Sequence, residues 1–140
     1  MKFFKKNTDY AVRAIMYLAR NRDRFISSSE ISEKEGISLY FMRRILQILT
    51  NKKIVTSKEG ISGGVKLSAD VNTINVAKLM KIFQGRIELS DCKLKKDACP
   101  KRSQCVIRKR IKYIESKVIT EFNNITVEGL LKDWEVARWK

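Results

Sequence analysis

Residues 27–67 run SSSEISEKEGISLYFMRRILQILTNKKIVTSKEGISGGVKL. Within this stretch Met42, Ile45, Leu46 and Leu49 stand at i, i+3, i+4 and i+7, the spacing of one apolar helical stripe. Tyr40, Arg43, Arg44 and Gln47 repeat that spacing on the opposite side, with no acid among them. Arg bonds the O6 and N7 of guanine as a bidentate pair, Gln does the same for adenine, and either holds phosphate. On an isolated helix such a face is an ordinary solvated basic surface. Its neighbours in the chain decide otherwise.

Ser27 stands three residues before Glu30, the spacing of a capping box, with Ser28 and Ser29 as rival caps. Ile31 points inward, Gly36 supplies a left-handed stop, and Ser38 is placed to cap the next helix. A helix, a short turn around Gly and a second amphipathic helix make the helix-turn-helix plan. Its second helix lies in the major groove with N-terminal residues on base edges. Two β-rich runs follow, residues 54–58 and 65–68, joined by a glycine-rich turn at 59–64. They read as a hairpin, and a hairpin directly after a recognition helix is a wing. Gly63-Gly64 lacks the preceding strand and following helix of a phosphate loop, so a tight turn is expected there.

The composition agrees with a polyanionic partner. Among 140 residues, Lys plus Arg number 30 against 15 acids, a net charge of +15. That balance points to DNA, RNA or an anionic membrane surface. Membrane is the weakest of the three, because the apolar run at residues 14–19 is far short of the roughly 20 residues a span needs. The first six residues begin like a signal peptide, but Asn7-Thr8-Asp9 and Arg13 interrupt any apolar region, so a cytoplasmic location is expected. Three cysteines, an odd number, argue against a closed disulfide framework.

Ahead of the central stretch, Thr8 is placed to cap a helix reaching about Arg20, with Ala11, Ile15, Leu18 and Ala19 on its buried side. Asp9 falls in its first turn, where the helix dipole favours a carboxylate. Beyond the wing, Asn75 caps a helix striped by Val76, Leu79, Met80 and Phe83 and ended by Gly85. A 4-3-4 spacing then links Ile107, Ile111, Ile114 and Val118 in the longest helical pattern, residues 103–123. So narrow a seam, with little chain left to cover it, suits a dimer interface. Thr126 caps a short helix with Val127, Leu130 and Leu131, and Trp134 and Trp139 in the basic tail are expected to pack on the body.

Cys92, Cys99 and Cys105 fall within fourteen positions, the first two on a polar loop crowded with Lys and Arg and holding the only proline, Pro100, the third at the start of the next helix. Structural cysteines more often replace small apolar residues inside a helical stripe. Thiolates are the soft ligands that iron–sulfur clusters and Zn²⁺ select, and nearby cations with a helix N-terminus favour the thiolate form. An iron–sulfur cluster, a zinc ion and metal-free regulatory thiols all remain open on the residues alone.

The chain resembles the IscR/NsrR (BadM/Rrf-two) family of winged-helix iron–sulfur regulators. The pattern is carried by Ile37-Ser38, Phe41-Met42, Ile45-Leu46, Leu49, Ile54-Val55, Ser57, Gly60, Gly63-Gly64 and Leu67, and by the cysteine loop. The resemblance spans nearly the whole chain. It implies a DNA-reading helix and wing whose contacts here are Ser38, Tyr40, Phe41, Arg43, Arg44, Gln47, Lys58 and Gly60. Two positions depart from the pattern and bear on the target sequence: Arg43 stands where the iron–sulfur-biogenesis regulators carry Glu, and Glu59 where the wing carries Arg. The resemblance also implies a cluster, 4Fe–4S or 2Fe–2S, held by Cys92, Cys99 and Cys105, with a first gap of six residues rather than the common five. The biogenesis type adds a His three residues after the last Cys, which is Arg108 here, and this chain has no His. In the nitric-oxide-sensing members, the Asp of a Thr-Asp pair matched by Thr8-Asp9 ligates the partner subunit's cluster, which makes Asp9 the implied fourth ligand.

The expected architecture is therefore mainly α with a small β wing: a winged helix-turn-helix at 1–85, a cysteine-bearing loop at 86–102, and a dimerisation helix with tail at 103–140. The expected function is a homodimeric, sequence-specific repressor. It would bind a palindromic double-stranded DNA operator and sense iron–sulfur status, nitric oxide or redox state. The alternatives are a basic RNA-associated protein with a structural zinc, and a metal-free thiol-based redox regulator. An enzyme is not expected, since there is no Ser–His or Cys–His pair and no dinucleotide loop.

Overall fold

The computed structural model describes residues 2–90 and 99–139. Within them the elements are α1 (Lys6–Arg20), α2 (Ser28–Glu35), α3 (Leu39–Asn51), β1 (Val55–Lys58), β2 (Gly64–Leu67), α4 (Val76–Gln84), α5 (Val106–Asn124) and α6 (Val127–Arg138). The helix-turn-helix forms where its stop and start signals fall. Ser27 is the cap that is used, its Oγ accepting from the Glu30 N–H at 3.1 Å. Gly36 ends α2 at φ 64°, and Ser38 Oγ accepts from the Phe41 N–H. Met42, Ile45, Leu46 and Leu49 are all buried, against Ile31 and the α1 residues Ala11, Ile15 and Leu18. α1 is the hub of the core and packs on α2, α3, α4, α6 and β2.

The hairpin is antiparallel, with Val55 opposite Leu67 and Lys58 opposite Gly64. It is extended by a third segment that alternation alone does not reveal. Ile26 and Val65 exchange both backbone hydrogen bonds, at 2.9 and 2.8 Å, tying the wing's return strand to the chain entering α2. Gly64 makes this possible: at φ 146° its missing side chain leaves room for the Ile26 carbonyl, into which any Cβ would run. The wing is thus fixed to the helix-turn-helix by backbone as well as by loop.

The start of α1 differs from expectation. Thr8 does not cap it; Lys5 occupies the cap position without a side-chain bond, and Thr8 lies fully buried inside the first turn. Its hydroxyl donates to Gln84 Oε1 at 2.7 Å. That oxygen also accepts from the Lys5 N–H, while Gln84 Nε2 donates to the Phe3 carbonyl at 2.6 Å. The end of α4 therefore caps the start of α1. Replacing Thr8 by Val removes one buried hydrogen bond but leaves Gln84 Oε1 its second donor, so we expect a loss of about 0.5–1.5 kcal/mol in chemical denaturation. An unchanged midpoint would mean the hydroxyl contributes nothing.

The long helix begins at Val106 rather than 103, because the preceding residues close tight turns. The N–H of Arg102 bonds the Cys99 carbonyl and that of Gln104 the Lys101 carbonyl, both at 3.1 Å. α5 lies against α4, and a backbone bridge between Asn75 and Thr126 returns the chain to the body. α6 then packs on α1, burying Val127 in the common core. α6 also extends further than the short helix expected and includes Trp134, whose ring lies 4.4 Å from the Arg20 guanidinium. Trp139 does not pack; it is 88% exposed.

Candidate nucleic-acid interface and cysteine segment

Burying one stripe of α3 leaves the other in solvent. Tyr40, Arg43, Arg44 and Gln47 are all exposed and share one surface groove with Leu39. A second groove runs between α3 and the wing, with Arg43 and Gln47 on one side and Ser57 and Gly64 on the other. Phe41 is oriented by aromatic neighbours, edge-on to Tyr40 at 5.5 Å and tilted against Tyr10 at 6.4 Å. Lys6 Nζ sits 5.4 Å from the Tyr10 ring and 5.9 Å from the Phe41 ring, bringing a cation from α1 to the start of α3.

On the wing, Lys58 Nζ and Lys66 Nζ lie 5.7 and 5.8 Å from the centre of the same ring, Phe25. Two lysines from paired strands are thereby gathered beside one aromatic. Gly60 is exposed in the turn at φ 108°, and Ile61 next to it is wholly exposed. Lys6, Lys66, Phe25 and Ile61 had no local signal. They join the site only because the hairpin register and the α1–α3 packing bring distant positions together.

The helix pair beneath this surface is braced by an ionic cluster. Glu30 accepts from both terminal nitrogens of Arg24, at 2.9 and 2.5 Å, and from the Tyr17 hydroxyl at 2.7 Å. The Arg24 hydrogen bonds, then that of Tyr17, hold the Glu30 carboxyl down at about 2. The same carboxylate pushes the Tyr17 phenol above its ordinary value. Glu30 thus gives its side chain to Arg24 and Tyr17 rather than back to the cap, so only half of the capping box is made.

Of the cysteines, Cys92 lies outside the described residues. Cys99 and Cys105 are free thiols, both half-buried. Cys105 is the N-cap residue of α5 and its side chain makes no capping bond, so it stands where the helix dipole favours negative charge. Cys99 opens onto a cleft of about 400 Å³ that Arg102 and Arg108 also line. Asp9 is half-buried on α1 and paired with Arg13 Nε at 3.0 Å. Among the described residues no three His, Cys, Asp or Glu side chains converge on a metal-sized site, so one chain does not bring Asp9 to Cys99 and Cys105. Two half-buried thiols, Cys99 in the turn before α5 and Cys105 at its cap, are nonetheless of the donor type that a thiolate-bound metal takes.

The sequence model of the Rrf2 family, described as an iron-dependent transcriptional regulator, matches residues 4–133. The chain belongs to the Rrf2 family. Among its Rrf2 relatives, the HTH-type transcriptional regulator IscR of Vibrio campbellii is 29% identical over 128 residues, covering 91% of this chain and 76% of that protein. The structure of T. potens IscR superposes with a TM-score of 0.77 at 21% identity, over 98% of this chain and 90% of that one. The oxidized form of Staphylococcus aureus CymR superposes with a TM-score of 0.66 at 21% identity, over 94% and 96%. At such identities the two structures show a shared fold, the Rrf2 winged helix. No helix among the described residues is long and apolar enough to cross a membrane.

Proposed function

We propose that this Rrf2-family regulator is a homodimeric repressor that reads a palindromic operator and responds to an iron–sulfur cluster. The observation that carries the DNA reading is the acid-free face of α3, exposed beside the lysine-bearing wing. Ser38, Tyr40, Phe41, Arg43, Arg44 and Gln47 would enter the major groove, with Lys58 and Gly60 on adjoining backbone. Residues 1–85 are then the reading head, 86–102 the sensing loop and 103–140 the dimer arm. Arg43→Ala or Gln47→Ala should cost on the order of 1–3 kcal/mol and relax preference at one base position. Lys58→Ala should weaken all sequences alike. Equal losses on operator and random duplex for all three variants would remove Arg43 and Gln47 as base readers.

Cys92, Cys99 and Cys105 would hold the cluster, with the partner subunit's Asp9 as fourth ligand. When bound, the cluster supplies a redox- and nitric-oxide-sensitive centre. The chain's part is to hold soft donors at the start of α5, so that their state bears on where α5 lies relative to the winged body. A second reading, metal-free regulatory thiols, is favoured by the half-buried free thiols of Cys99 and Cys105 and by the likeness to CymR, solved in an oxidized form.

Anaerobic purification followed by an absorbance spectrum with iron and sulfide counts separates these readings. A brown protein with visible charge-transfer bands is expected. Cys92→Ala, Cys99→Ala and Cys105→Ala should each lose the bands. Asp9→Ala should keep them with altered circular dichroism and faster decay in air, because a carboxylate is the harder and more weakly held ligand of iron. A colourless metal-free protein would favour the thiol reading, and a colourless zinc protein the structural-zinc alternative. Identical spectra and decay for Asp9→Ala and wild type would leave Asp9 as a first-turn acid paired with Arg13.

A further inference from the structure

We propose that the cleft between α4 and α5 is a binding site for a small organic carboxylate with an apolar body, separate from the α3–wing surface and from the cysteines. The cleft has a volume of about 500 Å³. This falls within the roughly 300–1,000 Å³ of small-molecule pockets. Its lining is mainly apolar and includes Ile87 and Ile119, and cations also line it: Lys78 and Lys81 from α4 and Arg86 just beyond. Among the described residues none of these three side chains has an ion-pair or hydrogen-bond partner.

The acids do not balance them. Glu115 is buried, and its carboxylate is already taken by Lys112 Nζ at 2.7 Å and the Leu89 N–H at 3.0 Å. Glu88, exposed, is the other acid lining the cleft. The Glu115–Leu89 bond also ties the segment after Gly85 to α5, and residues 85–88 of that segment line the cleft beside α4. An apolar slot with unpaired cations at its edge matches a ligand carrying one negative group on a hydrocarbon or aromatic body. An inorganic anion would leave the apolar walls uncovered, and a cation would meet like charge.

The cleft is also distinct from the apolar face of α5 that bears Ile107 and Ile114. Five residues separate Ile114 from Ile119, about 140° around an α-helix. A second copy centred on Ile107 and Ile114 would sit away from Ile119 and the cleft. An occupant would touch α4 of the winged body and α5 together. The binding rests on neither the DNA reading nor the cluster reading, and its test involves neither.

The test is calorimetric titration of the whole chain with decanoate, with decan-1-ol and decyltrimethylammonium as neutral and cationic counterparts. One saturable decanoate site per chain is expected below about 1 mM, roughly tenfold tighter than decanol, with no site for the cation. Reversing two cations, Lys81→Glu with Arg86→Glu, should weaken decanoate by roughly tenfold or more and leave decanol unchanged. A control reversal on the wing, Lys58→Glu with Lys66→Glu, and the seam variant Ile114→Asp should both retain the site. Ile119→Trp should fill the cleft and remove binding, with circular dichroism reporting its fold. The proposal is overturned by any of four results: no saturable binding, equal affinity for decanol and decanoate, unchanged binding after the Lys81 and Arg86 reversal, or loss of the site in Ile114→Asp.

Discussion

Raising salt from about 50 to about 200 mM should weaken the affinity of this chain for operator duplex by roughly 10³–10⁵. The expectation follows from where the charge lies as well as from its total of +15. Arg43 and Arg44 project from α3 and Lys58 from the wing, all exposed. Lys6 is drawn to the start of α3 by the Tyr10 and Phe41 rings, and Lys66 is gathered beside Lys58 on Phe25. In the proposed dimer such a surface would neutralise about 6–10 phosphates, each releasing condensed counterions that added salt returns. Filter binding or fluorescence anisotropy across the salt range measures the slope. A nearly flat titration would remove duplex DNA as the partner. A steep slope shared equally by palindromic duplex and single-stranded RNA would support the RNA-associated alternative.

The parts of this surface that were legible beforehand are those written in local rules. Ser27, Gly36 and Ser38 bound the two helices through backbone groups within a few residues of themselves, and the α3 stripe sorts its own faces. The hairpin was legible for the same reason, except that Gly64 belongs to β2 and not to the turn, which Gly63 closes on Gly60. Thr8 shows where local rules stop. Its position suits a cap, but the Gln84 side chain, 76 residues away, offers it a buried acceptor. A long-range partner overrides the local one because burying an unpaired hydroxyl is costly.

The pairing of Ile26 with Val65 was hidden in the same way, since a single bridge has no alternation to announce it. Lys66 and Phe25 entered the site only through the hairpin register. The segment that lines the α4–α5 cleft is tied to α5 by Glu115 accepting from the Leu89 N–H, which no spacing encodes. The cysteines sit between these cases. Their spacing marked them as chemistry, and the structure places Cys99 and Cys105 at the entry to α5, one at the turn and one at the cap. The ligand implied from a partner subunit is beyond what one chain's own contacts display.

Ile114→Asp should convert the protein to monomer and abolish specific operator binding. In the single chain α5 presents two apolar columns seven residues apart, Val106 with Tyr113 and Ile107 with Ile114. Ile107 is 62% and Ile114 52% exposed. Beside them Ile111 and Val118 are only half-buried, and Glu115, next to that pair on the side turned away from Ile107 and Ile114, is buried and engaged. A long helix that leaves Ile107 and Ile114 in solvent beside half-buried Ile111 and Val118 is arranged for a second helix, because an apolar stripe of this kind is unfavourable in water. Placing an unpaired carboxylate at such a contact costs on the order of 3–5 kcal/mol, roughly a hundredfold to a few thousandfold in the dimer dissociation constant. Sedimentation equilibrium should then show monomer at concentrations where wild type is expected to be dimeric. The effect on DNA should be selective. Half-sites lie about one helical turn apart, so losing the partner removes specific affinity for the palindrome while the α3 face of each monomer keeps its phosphate contacts. A variant that stays dimeric with intact operator binding would place the interface elsewhere, with the α6 end and its exposed Trp139 as the next surface to alter.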